Sequence, residues 1–171
     1  MRLRFISGAA AVCLAALGLA SCRSAPTAAF EPQAAEFINT QGKGVIDGHA
    51  FYRSDASKVV YAAGEYAYLI PVTPYAEQRF FQIYGKGKYA QAKHLPWDAS
   101  DETFRKYMRS TKTESNGRFK FENVGPGDYF VASSVTWQAE DSFTVSGAAI
   151  YERVSLSGKE SEPVKVIVSG K

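Results

Sequence analysis

The sequence predicts an all-β domain, a seven-stranded antiparallel Greek-key β-sandwich carrying a partly helical insertion at about residues 74–110. Three observations predict it. Short runs rich in β-branched and aromatic residues recur from Val45 onward, separated by turn residues. The run Arg118-Phe119-Lys120-Phe121-Glu122 alternates strictly between charged and aromatic residues, the period of a half-buried strand. Asn116-Gly117 and Pro126-Gly127 supply turn chemistry on either side of that run.

Ahead of the β-rich region lies a different composition. Met1-Arg2-Leu3-Arg4 carries two positive charges, and Phe5 to Ala20 carries none. A charged start followed by a short apolar run is the pattern of a secretory signal peptide, and the run is short for a membrane span. It ends in Leu19-Ala20-Ser21-Cys22, which resembles a bacterial lipobox. That resemblance implies residues 1–21 as a lipoprotein signal peptide, cleavage before Cys22, a thioether-linked diacylglyceryl group and an acylated amino terminus. Several acyl chains would hold the protein firmly on a membrane, since two hydrophobic anchors already suffice. Arg23, rather than Asp, follows the cysteine, which favours the outer membrane facing the periplasm if the host is Gram-negative. The competing reading is an ordinary signal peptide cut near Ala20, leaving Cys22 an incidental thiol.

Residues 22–42 read as a flexible tether. Ser24-Ala25-Pro26-Thr27 is small and Pro-containing, and Gly42-Lys43-Gly44 continues the punctuation. Ala34 to Ile38 is compatible with a short turn of helix. The domain proper, 43–171, opens with a strand at Val45–Phe51, where Gly48 marks a bulge or a close backbone approach. Tyr66–Val72 is a second strand, with Pro71 at an edge or an end. Asn116-Gly117 predicts a type I′ hairpin leading into the alternating run. After Pro126-Gly127, Tyr129 opens an apolar strand reaching Trp137, in the position of a tyrosine corner, whose hydroxyl bonds back to upstream backbone. Ala149–Leu156 and Pro163–Val168 complete the set. Between Pro74 and Ser110 no two-residue period holds. Tyr75–Phe81 suggests a helical turn or two, and Asp101–Arg109 a short helix with acids first and bases last.

Gly48 in the first strand, Val72-Thr73-Pro74, Asn116 to Phe121 and Val124 to Val131 together resemble the carboxypeptidase regulatory-like domain. The resemblance spans roughly residues 43–168 and implies a transthyretin-like (prealbumin-like) sandwich. Its motif residues Asn116, Gly117, Pro126, Gly127 and Tyr129 imply turns and core, with no catalytic role. In metallocarboxypeptidases this module accompanies a separate zinc-bearing catalytic domain, and the expectation here is a sandwich with no catalytic domain to regulate.

Composition and motifs narrow the function. The 171 residues are 46% hydrophobic and 22% charged, enough apolar surface to argue against disorder. A net charge of +3 lacks the footprint of a nucleic-acid binder. Cys13 and Cys22 cannot make an all-Cys zinc site or a disulfide framework. Neither His49 nor His94 has a carboxylate at zinc-peptidase spacing, no Gly-x-Ser-x-Gly is present, and the tail Val168-Ser169-Gly170-Lys171 departs from that of the hydroxyisourate hydrolases of the transthyretin fold. The expectation is therefore no enzyme, no catalytic residue, no metal and no cofactor. Asn116 and Asp128 are read as turn residues, and Trp137 as core. The insertion interleaves Arg79, Lys86, Lys88, Lys93, Arg105, Lys106 and Arg109 with aromatics that include Phe80, Phe81, Tyr84 and Trp97. Lys86, Lys88, Lys93 and Trp97 are its candidate partner-binding residues. The alternative is that its aromatics cover an open end of the sandwich. The function expected is a lipid-anchored, non-catalytic envelope module with a structural or protein- or glycan-binding role. A carbohydrate-binding module using the insertion's aromatics is the alternative, with a small hydrolase of unrecognised type behind it.

Overall fold

A computed structural model describes residues 28–54, 58–95, 102–138 and 143–170. The lipobox with Cys22, and Trp97, lie outside these residues. Among the described residues nine strands form two facing sheets: β1 (Gln41–Ser54), β2 (Lys58–Tyr61), β3 (Tyr66–Pro71), β4 (Tyr89–Gln91), β5 (Arg109–Lys112), β6 (Arg118–Val124), β7 (Gly127–Gln138), β8 (Val145–Leu156) and β9 (Val164–Val168). The first sheet joins β2, β1, β6 and β9, and the second runs β4-β8-β7-β3-β5. The antiparallel sandwich is as the alternation predicts, with two more strands than seven and one parallel pair, β1 with β9.

The main core lies between the sheets. Ile46 and Ala50 of β1, Phe119 and Phe121 of β6, and Val166 and Val168 of β9 face Leu69, Tyr129, Val131 and Ile150 of the second sheet. Gly48 marks a close approach: a Cβ there would overlap the Phe119 ring. The tyrosine corner is present. Tyr129 is fully buried, and its hydroxyl donates to the Gly125 carbonyl at 2.9 Å, tying the chain across from β6 to β7.

Two local expectations are corrected. Asn116-Gly117 does not close a hairpin, because β5 pairs with β3 and β6 pairs with β1. The turn instead carries the chain from one sheet to the other. Only Gly117 has positive φ (79°), whereas a type I′ turn needs it at both central residues. The Gly117 amide donates to Glu114 O at 2.9 Å, and Asn116 Oδ1 accepts from the Arg118 amide, also at 2.9 Å. The tight fit beneath Gly117, whose carbonyl accepts from the Ala50 amide, anchors the crossing on β1.

The tether is the second correction. From residue 28 onward the segment lies packed along the sandwich. It forms α1 (Pro32–Ala35), a 3₁₀ turn (Glu36–Asn39) and the first residues of β1. Phe30 meets Tyr75, Phe104 and Tyr107 at 5.3–5.5 Å. Ile38 is buried in the main core, and Phe37 packs on Tyr129 at 5.4 Å. Apolar residues at 30, 37 and 38 are the physical reason, since a solvated spacer would leave them in water.

Two carboxylates make part of this stability depend on pH. The Ser155 hydroxyl, then Arg153, hold the Asp128 carboxyl below its ordinary range. The Ser157 hydroxyl and backbone lower Glu160 to about 2. For a depressed carboxylate the contribution is full above its unfolded pKa and is lost as pH falls through the folded one. Thermal unfolding should therefore shift to lower temperature as pH drops from about 5 to about 2, and less steeply in D128N and E160Q. Y129F should cost about 1–3 kcal/mol in urea unfolding by leaving a buried carbonyl without its donor.

Candidate functional site

The insertion builds a third layer rather than a ligand platform. Thr73 caps α2 (Pro74–Tyr84), accepting from the Ala76 amide at 3.1 Å, with Pro74 in its first turn. The helix lays Tyr75, Ala76, Phe80 and Tyr84 on the outer face of the second sheet, against Ile70, Phe130, Ala132 and Ala149. Phe80 stacks on Phe130 at 4.1 Å and meets Tyr151 edge-on at 4.8 Å. Phe104 of α3 (Glu102–Arg105) is buried in the same cluster. Burial pushes the Tyr84 hydroxyl far above its ordinary pKa, so it stays protonated among these rings. These aromatics cover a sheet face, where the sequence suggested an open end. The described end is closed instead by Tyr52, stacked between Tyr89 at 5.0 Å and Trp137 at 5.3 Å.

Two of the insertion's bases are engaged within the protein. Lys88 is paired with Glu152 at 2.7 Å. Arg109 donates to the Glu122 and Asn123 carbonyls at 2.5 and 3.4 Å, which covers the free edge of β6. Lys86 and Lys93, before and after β4 in the chain, are exposed. The side clefts next to Arg109, of about 300 and 390 Å³, are polar, and their one aromatic residue, Phe121, is buried.

A second group of rings lies on the opposite side of the molecule, on the outer face of the first sheet. With Ile46, Ala50 and Tyr52 turned into the core, period-two geometry turns Asp47, His49, Phe51 and Arg53 outward. Tyr61 of β2 sits opposite Phe51, and Ile167 of β9 opposite His49. His49 and Tyr61 are nearly parallel, 15° apart at 5.4 Å, and Phe51 stands 5.0 Å from His49 and 6.4 Å from Tyr61. Tyr61 is 44% exposed and Ile167 60%. The His49 ring is fixed by Nε2, which donates to the Asn116 carbonyl at 2.8 Å. The result is an apolar strip across three strands, held flat by the sheet.

Charge surrounds the strip. Arg118 sits opposite His49 on β6, while Lys120 and Lys165 flank Asp47 on its two neighbouring strands. With Arg53, all three are exposed, so bases outnumber acids around the rings. The sequence signal for this site was a phase: in Val45–Tyr52 the even positions carry the core residues, which places His49 and Phe51 in the solvent phase. Among the described residues no three His, Cys, Asp or Glu groups converge as metal ligands.

Comparisons with known proteins agree with the sandwich. Residues 81–154 match the family of the second beta sandwich domain of BOS complex subunit NOMO1-like proteins. The crystal structure of a candidate carbohydrate binding protein from Pseudomonas aeruginosa is similar, with 26% identity and a TM-score of 0.64. The match covers 82% of this chain and 97% of that one. No curated protein matches the chain.

If the insertion is a structural layer, its two adjacent phenylalanines should differ sharply on truncation. F80A should cost about 3–5 kcal/mol in denaturant unfolding, whereas F81A, at a residue 61% exposed, should stay within about 0.5 kcal/mol. Equal small costs would contradict the layer.

Proposed function

We propose that the protein is a non-catalytic, glycan-binding module of the carboxypeptidase regulatory-like kind, carried on the cell envelope by a lipid on Cys22. The observation that carries the binding reading is the surface strip of half-buried His49 and Phe51 with exposed Tyr61, rimmed by Arg53, Arg118, Lys120 and Lys165. Sugar rings present faces of C–H groups between their hydroxyls. An exposed aromatic ring buries such a face, while neighbouring polar groups take the hydroxyls. Contiguous apolar surface on an otherwise polar sheet is the usual mark of an interaction site. The excess of bases favours an acidic polysaccharide, whose carboxylates arginine holds in pairs of hydrogen bonds. The likeness to a candidate carbohydrate binding protein supports the same class of ligand. The anchor rests on Leu19-Ala20-Ser21-Cys22 and the charged, then apolar, stretch before it.

This reading moves the binding surface from the insertion, with Lys86, Lys88, Lys93 and Trp97, to the first sheet. The described rings of the insertion are mostly consumed in packing, and Lys88 is neutralised by Glu152.

Retention on immobilised acidic and neutral polysaccharides tests the site. F51A and Y61A should each weaken binding to the acidic polymer by about tenfold, the scale of one lost aromatic contact, with little change in melting temperature. Arg118→Glu should weaken it further and make the remainder less sensitive to salt. Unchanged retention in the F51A/Y61A double variant refutes the site, and loss on W97A with the strip intact would return it to the insertion.

A further inference from the structure

We infer that the helical layer is the membrane-facing surface of the protein, seated on anionic phospholipid headgroups, so that the ring strip points away from the bilayer. The inference rests on the proposed lipidation of Cys22. Only five residues separate Cys22 from Ala28, a reach of about 20 Å even when fully extended. The described chain begins on the helical layer: the Ala28 amide donates to Gln78 Oε1 of α2 at 2.9 Å, and Phe30 packs against both Tyr75 of α2 and Phe104 of α3. A lipid at Cys22 therefore holds this layer near the headgroups. A long free tether would have allowed any face to turn toward the membrane; a short one attached here does not.

The surface chemistry of the layer suits that position. Phe81 is 61% exposed on α2, although its neighbours Phe80 and Tyr84 on the same helix are buried. Lys86, two residues past the end of α2, and Arg105 and Lys106, at and just after the end of α3, are exposed as well. The exposed acids are offset: Glu77 is held by Arg153 at 3.2 Å, and Glu102 stands 3.9 Å from Lys106. An exposed ring on a layer that also presents exposed bases is the composition of an interfacial contact with an anionic leaflet. The ring strip of His49, Phe51 and Tyr61 lies beyond both sheets from this layer, and the sheet-to-sheet spacing alone is about 10 Å.

The test uses the full-length protein matured in a lipoprotein-processing bacterium and reconstituted in vesicles of phosphatidylethanolamine and phosphatidylglycerol. Single cysteines, F81C and K165C, carry a fluorophore, with spin-labelled phospholipid as quencher. Acylation consumes the Cys22 thiol, so the label reports one position. Strong quenching at 81 and little at 165 is expected. Reversing Lys86, Arg105 and Lys106 to Glu should reduce quenching at 81 severalfold, and phosphatidylcholine vesicles should do the same. If mass spectrometry shows acylated Cys22 but quenching is equal at the two positions, or absent at 81, the orientation is wrong and the anchor stands. An unmodified Cys22 thiol would overturn the anchor and the orientation together. Retention of the labelled F81C protein on acidic polysaccharide reports separately on the ring strip.

Discussion

Strand β7 buries both of its faces, and most of the architecture follows from that. Its inward residues Tyr129, Val131 and Val135 enter the core between the sheets, while Phe130 and Ala132 on the reverse side would meet water if nothing covered them. Phe80 stacked on Phe130 is the contact that resolves this. It requires a helix at that place, hence a long connection between β3 and β5 and a set of aromatics to line it. The first sheet has no such constraint. Its outer residues are largely charged, so it needs no cover, and the few rings it does display stay accessible. One sheet is sealed on two sides and the other on one, and this asymmetry leaves the outer face of the first sheet uncovered, with its rings at the surface.

Much of the sandwich was legible in the residues. Phe119 and Phe121 alternate with charges because β6 has one wet face, and the period shows it. Tyr129 after Pro126-Gly127 announced the corner that the Gly125 carbonyl completes. The second buried face of β7 was written as a near-continuous apolar run from Tyr129 to Val135, the pattern of a strand covered on both sides. What covers it could not be read, because aromatics that line a core and aromatics that greet a ligand have the same composition. Phe80 and Phe81 are adjacent and identical in type, and only the facing sheet distinguishes them.

The other misreadings have similar causes. Asn116-Gly117 specifies a reversal of the chain but not whether the strands it joins pair with each other or lie in opposite sheets, and Gly117 beneath Ala50 is fixed by contacts distant in sequence. The segment from Ala28 to Thr40 reads as a spacer because its apolar residues are mostly alanine and follow no strand or helix period, yet Phe30 packs into the outer aromatic cluster and Phe37 and Ile38 into the main core. The ring strip was the hardest to see. Phe51 lies ten residues from Tyr61 and far from Ile167, and their proximity depends on β2 and β9 both pairing with β1.

The account stands or falls on which face meets the ligand, and chemical-shift mapping of the isotope-labelled soluble domain during titration with an acidic oligosaccharide reads that directly. The account predicts saturable shifts confined to the amides and rings around Asp47–Arg53, Val59–Tyr61 and Lys165–Ile167, with α2 and α3 silent. Shifts centred on residues 74–110, or none anywhere at saturating sugar, would contradict it.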